Sequence, residues 1–170
     1  MKHQDIKVIE QDESKLYSYL VELAKSELGP SSIDLFEQYL FHESEDIRSA
    51  SIYALLFVLK IDNRKYRKLA LKYVEDKNAD FDLRQWSVSG LTQTYFGTDN
   101  VQLFQIFMKH LNDPEEDDDI KPVFLRGILG LHGLDSSEIF QKTGVFDKVD
   151  DTILKTFSPE LNEINSLLDE

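Results

Sequence analysis

Glu115-Glu116-Asp117-Asp118-Asp119 is the densest run of chemistry-bearing side chains in the sequence, and five adjacent carboxylates can attract a divalent cation or a basic surface. The run lacks the alternate-ligand spacing and central glycine that let a calcium loop close around its ion, so any cation held there is held weakly. The four histidines, His3, His42, His110 and His132, have no H-E-x-x-H or other spacing that would bring two imidazoles to one metal. Cysteine is absent, which removes disulfide staples, zinc ribbons and thiolate nucleophiles and fits a reducing compartment. Positive charge gathers at Arg64, Lys65, Arg67, Lys68 and Lys72. Of these, Arg64, Lys68 and Lys72 are spaced to form one stripe along a helix, read here as a solvated face. No catalytic set assembles, and neither a metal nor a cofactor is expected.

Nineteen basic against thirty-two acidic side chains leave a formal net charge of −13. The imbalance is uneven: residues 1–45 carry −6, residues 46–111 carry +3 and residues 112–170 carry −10. Neutralising nucleic-acid phosphates needs a basic footprint, so a nucleic-acid partner is not expected. The acidic ends instead suit electrostatic steering of a basic protein. The longest apolar run, Ala54 to Leu59, falls far short of the roughly 20 residues a membrane span requires. The start, Met1-Lys2-His3-Gln4-Asp5, lacks the apolar stretch of a signal peptide, so a cytoplasmic location without membrane association is expected. With 170 residues, 41% of them hydrophobic, the chain is expected to form one domain, as a monomer or weak homo-oligomer.

The elements that must position these residues read as helices throughout, since no stretch alternates strictly between apolar and polar. Leu16, Leu20 and Leu23 recur at helical spacing, and Gly29-Pro30 ends that helix. Ser31 with Asp34 resembles a capping box that starts the next helix. The pattern then becomes paired. A second helix is predicted from Asp46 to Lys60, followed by helices over 64–75, 82–96, 101–111 and 121–134. Gly90 and Gly127 fall inside helical patterns where the first pair has Ala54, which points to close helix approach. Pro122 suits the first turn of its helix. Asp135 with Glu138 makes a further capping box, Gly144 breaks the pattern, and Ser158-Pro159 is read as N-cap and first helical residue of a closing helix.

Three stretches superimpose in sequence. Asp46-Ile47-Arg48-Ser49-Ala50-Ser51-Ile52-Tyr53-Ala54-Leu55 matches Asp82-Leu83-Arg84-Gln85-Trp86-Ser87-Val88-Ser89-Gly90-Leu91, and both match the block from Asp119 to Ile128. Asp followed by an aliphatic residue and Arg, then small residues leading to Ala-Leu, resembles the HEAT-repeat family. The third block departs from it, with Lys121 in place of Arg and Phe124 at the first small position. The resemblance implies an all-α fold: an α-α superhelix, or short solenoid, of about three HEAT-like helix pairs over 31–134. Residues 1–30 and 135–170 would form irregular helical caps.

The resemblance further implies an inter-repeat ladder from Asp46, Arg48, Asp82, Arg84, Asp119 and Lys121, and second helices that line a binding face. On those helices Ser49, Tyr53 and Lys60, then Gln85, Ser89 and Phe96, then Pro122, Arg126 and Gly133 would point outward. Trp86 aligns with Ala50 and Val123 and is expected in the core. The candidates for partner contact are Ser49, Tyr53, Gln85, Ser89 and Arg126, with Glu115, Glu116, Asp117 and Asp118. HEAT-type iron hydroxylases carry a His-Glu pair in several repeats, whereas this chain has only His42-Glu43.

The expected function is therefore that of a non-enzymatic protein-interaction module. Its most specific form is a bacterial immunity or antitoxin-like protein that neutralises a basic, nuclease-type toxin through an acidic concave or end surface. The alternatives are a generic HEAT adaptor or regulator and, in a different class, a HEAT-type enzyme or a cofactor- or bilin-handling protein.

Overall fold

Helices supply every regular element among residues 12–169, the part of the chain described by the computed structural model, and those residues contain no strand. None of these helices is long and apolar enough to cross a membrane. His3 and the polar lead-in Met1 to Asp5 lie outside the described residues. The chain divides into two compact units, Met1–Thr94 and Tyr95–Glu170. The first two predicted pairs fall in the first unit and the third pair in the second.

In the first unit α1 spans Glu13–Lys25, with the Asp12 carboxylate accepting from the Lys15 amide as its N-cap. A 3₁₀ turn, Gly29–Ser32, leads into α2, Ile33–Tyr39. The expected Ser31–Asp34 capping box does not form. The Ser31 and Ser32 hydroxyls both donate to the Leu28 carbonyl, so they close the preceding turn instead. Helix α3, Glu45–Ile52, continues as a π-helical segment, Tyr53–Val58, which the sequence pattern did not reveal. Helix α4, Arg64–Glu75, is capped by Asn63, and α5 spans Phe81–Thr94. Helix α3 packs between α1 and α5, so these three helices form one layer.

The π segment and α5 are fitted to one another. A Cβ added at Gly90 would lie 2.7 Å from Leu56 Cβ, closer than real side chains approach, so only glycine permits this separation. One turn further on, the Thr94 hydroxyl donates to the Leu56 carbonyl at 2.9 Å. The Leu56 carbonyl lies in the last turn of its segment, where no intrahelical amide reaches it, so the Thr94 bond satisfies it. Equivalent repeat positions are buried alike: Phe36, Ala70 and Phe107, then Leu40, Val74 and Leu111, then Leu55, Leu91 and Ile128. Sequence equivalence therefore reflects a repeated packing environment.

Ties between successive pairs differ from the expected ladder. Arg48 is spent on its own turn, donating to the His42 and Glu43 carbonyls at 2.7 and 2.9 Å and pairing with Glu45 at 2.7 Å. Glu45 makes the crossing, its second carboxylate oxygen accepting from the Asp80 amide at 3.2 Å. Arg84 is buried and donates to the Val74 carbonyl, while Asp46 and Asp82 are exposed. Lys121 pairs with Asp118, and Asp119 lies exposed with its amide bound to the Asp117 carboxylate. Between α2 and α4 the link is Glu37, which accepts from the Tyr66 hydroxyl at 2.7 Å and pairs with Lys65 at 3.1 Å. Those two partners hold the Glu37 carboxyl below its ordinary range.

The second unit contains α6, Val101–Leu111, α7, Lys121–Leu131, α8, Ser136–Thr143, α9, Asp151–Thr156, and α10, Ser158–Leu168. Helix α6 packs on α7 and α10, and α7 on α8. Pro122 occupies the first turn of α7, and Asp135 with Glu138 forms the predicted capping box at α8. Helix α7 stops three residues before the predicted Leu134, because Gly133 takes a positive φ of 105°. Ser158 lies inside α10 rather than capping it, and its hydroxyl donates back to Lys155. His132 contacts Asp99 at 2.8 Å and Glu163 at 3.2 Å, joining the start of α6 to α10.

Two expected outcomes test these contacts. Gly90→Ala should destabilise the protein by about 1–3 kcal/mol in urea titration, the usual cost of overpacking, and combining it with Leu56→Gly, which removes the Cβ it would strike, should give a clearly sub-additive loss. Burial, and then the hydrogen bond to Glu37, push the Tyr66 hydroxyl up to about 12. The native state therefore keeps its proton where the unfolded chain releases it, so this contribution is complete below about pH 10 and is lost as the pH rises toward 12. Tyr66→Phe should be less stable than the wild type at pH 8, with the difference shrinking between pH 10 and 12.

Candidate functional site

Three helices of the first unit each bring one or two aromatic rings to one place. Tyr17 comes from α1, Tyr53 and Phe57 from the π segment, and Trp86 from α5. Tyr53 and Phe57 stack with centroids 5.4 Å apart, and Trp86 meets them edge-on at 4.6 and 5.4 Å. Tyr17 lies on the α1 side of the group, near Tyr53 and Trp86. Tyr53 is nearly covered, while Tyr17, Phe57 and Trp86 remain half-buried. Such a group offers a rigid apolar face at low entropic cost to whatever binds.

Carboxylates border the rings. Asp46 and Asp82 lie in the first turns of α3 and α5. Burial pushes the Tyr17 hydroxyl up from its ordinary value, and the nearby charges of Asp82 and Asp46 add to the effect. Burial also pushes the Asp82 carboxyl up, reinforced by Asp80 and Asp46. The one cation over the rings among the described contacts is Lys25 of α1, whose ammonium lies 6.0 Å from the Tyr53 centroid.

Several residues predicted for partner contact lie elsewhere. Ser49 is fully buried, its hydroxyl donating to the Asp46 carbonyl, because the first turn of α3 faces the neighbouring helices rather than solvent. Tyr53 reaches the site, though as a wall covered by Phe57 and Trp86. Gln85 and Ser89 are half-buried on α5, and Lys60 and Phe96 are exposed as expected. Pro122 is buried, contrary to its expected outward position. Arg126 is in the second unit and engaged, donating to the Phe146 carbonyl at 3.0 Å with its guanidinium 5.0 Å from that ring.

The acidic run is divided in role. Glu115, Asp117 and Asp118 are exposed, but Glu116 is buried and contacts the His110 ring at 2.6 Å. That imidazole stacks flat on Phe124 at 4.8 Å, and its Nε2 has no hydrogen-bond partner. Glu116 is therefore a structural residue of the second unit. His42 accepts from the Ser44 amide at 3.1 Å and serves its turn. Among the described residues no three His, Asp or Glu side chains converge into a set that could hold a metal.

Sequence reasoning missed Tyr17, Phe57 and Trp86 as a group, and it placed Trp86 in the core. The available signal was the mismatch at that repeat position: Ala50 and Val123 are small enough to be covered there, whereas an indole is not. No protein-family model, no curated protein and no solved structure matches the chain.

If Asp82 serves a ligand rather than the fold, neutralising it should not weaken the protein. Asp82→Asn is expected to leave the thermal midpoint unchanged or raise it, whereas Trp86→Ala should lower it by removing the ring contacts with Tyr53 and Phe57. Thermal unfolding at neutral pH, followed by circular dichroism, checks both.

Proposed function

We propose that the chain is a non-enzymatic interaction module that captures a basic protein through the aromatic face of α1, α3 and α5. The observation that carries this reading is the half-buried Trp86, Phe57 and Tyr17 group, with the exposed carboxylates Asp46 and Asp82 in the first turns of the helices that present it. Aromatic anchors in a partly desolvated patch supply most of the energy of protein interfaces, and flanking charge selects and steers the partner. The formal net charge of −13 supports the same sign of partner.

Within this reading the repeated helix pairs form a HEAT-like array, and α1, α3 and α5 correspond to the layer that lines its binding side. The most specific form is an immunity or antitoxin-like inhibitor, whose carboxylates occupy the surface with which a basic toxin would receive phosphates. The interface lies on this face rather than at the Glu115–Asp118 loop, because Glu116 is committed to His110.

Quantitative affinity capture from the native cell tests the proposal. The wild-type chain should enrich a protein of basic isoelectric point, with binding that weakens as salt rises. Trp86→Ala and Asp82→Asn should each reduce capture at least tenfold. The double change Glu115→Lys with Asp117→Lys should alter it less than twofold. Equal capture by Trp86→Ala, or an acidic partner, would overturn the assignment.

A further inference from the structure

We infer that this face is built to take the guanidinium of an arginine side chain presented by the basic partner, seated against Trp86 and Phe57 and paired with Asp82 and Asp46. The inference rests on the reading of the α1–α3–α5 face as the interface and adds the chemistry of its occupant.

The two halves of the site call for the same group. Tyr53 and Phe57 stack on each other and Trp86 meets both edge-on, so the ring faces are fixed before binding. A cation over such a face is attracted by the ring quadrupole, most strongly by that of an indole. Asp82 precedes Trp86 by four residues on α5, so its exposed carboxylate shares a face with the indole, where a cation bearing its own hydrogen-bond donors can meet both. Lys25 already rests over Tyr53 at 6.0 Å, so an ammonium is accommodated on this surface. Lys25 is itself exposed and 3.9 Å from Glu22, which leaves it free to be displaced.

Arginine suits the site better than lysine for a physical reason. A guanidinium is planar, so it stacks on a ring with its faces while its edge N–H groups reach carboxylates. An ammonium is compact and strongly hydrated, and it cannot meet rings and carboxylates together without losing that hydration.

Trp86 is the only tryptophan in the sequence, so its fluorescence reports this site directly. Titrating the full chain with a tetra-arginine peptide amide at low salt should change Trp86 emission saturably. Tetra-lysine should bind at least fivefold more weakly. Asp82→Asn should weaken tetra-arginine at least tenfold, and Lys25→Ala should tighten it about twofold by removing the resident cation. Asp117→Asn, a carboxylate removed in the second unit, should change it less than twofold. No saturable response, an equal response to tetra-lysine, or equal weakening by Asp117→Asn would overturn the proposal. If the peptide fails while Trp86→Ala still releases the captured partner, the interface reading stands and the arginine assignment falls; if Trp86→Ala also captures normally, both fall.

Discussion

Leu56 and Gly90 meet so closely that only a hydrogen atom fits between the π segment and α5, and the first unit is arranged around that contact. It requires a residue without a side chain on α5. The opposing backbone is widened over Tyr53–Val58, and the Thr94 hydroxyl satisfies the Leu56 carbonyl in the last turn of that segment. A buried carbonyl without a partner would cost about 1–3 kcal/mol, so the Thr94 bond is part of what makes the approach tolerable. With the helices this near, Tyr53 and Phe57 have only one place to go, against Trp86.

The same constraint links fold to site. The contact falls in the segment that also carries Tyr53 and Phe57. Widened segments of this kind recur at functional positions because they re-aim side chains without breaking a helix. Here the segment carries two of the four aromatic residues, and the third helix of the layer, α1, contributes Tyr17. The site is therefore a by-product of how three helices are spaced, and it is rigid for the same reason that the core is.

Much of this was legible from residues alone. Helices over 64–75 and 101–111 were predicted with the bounds they have, because Asn63 and Asn100 cap them and their apolar positions keep one period. Gly90 was read as a point of close approach, and the Asp135–Glu138 box formed as written. What was not legible depends on tertiary context. Nothing in Tyr53–Val58 distinguishes a π-helix from an α-helix, since the cause lies 34 residues away at Gly90. Glu116 is one of five adjacent acids and gives no local sign that it folds inward to His110. Trp86 was assigned by its repeat position, a rule that fails when the side chain is too large for the space its counterparts fill.

The distribution of strain in the electrostatics also follows from this arrangement. Glu37 and Asp118, which hold structural or local contacts, have carboxyls pushed below their ordinary range by their partners. Asp82 goes the other way, raised by burial and by two like charges in a layer that already brings the starts of α3 and α5 together. The fold could have relieved this with a nearby cation, and Arg48 and Arg84 are on the same helices. Both instead turn to backbone carbonyls, Arg48 at its own turn and Arg84 at the end of α4. Arg48 also pairs with Glu45, and Asp82 stays exposed in the first turn of α5, one turn before Trp86 on the same helix.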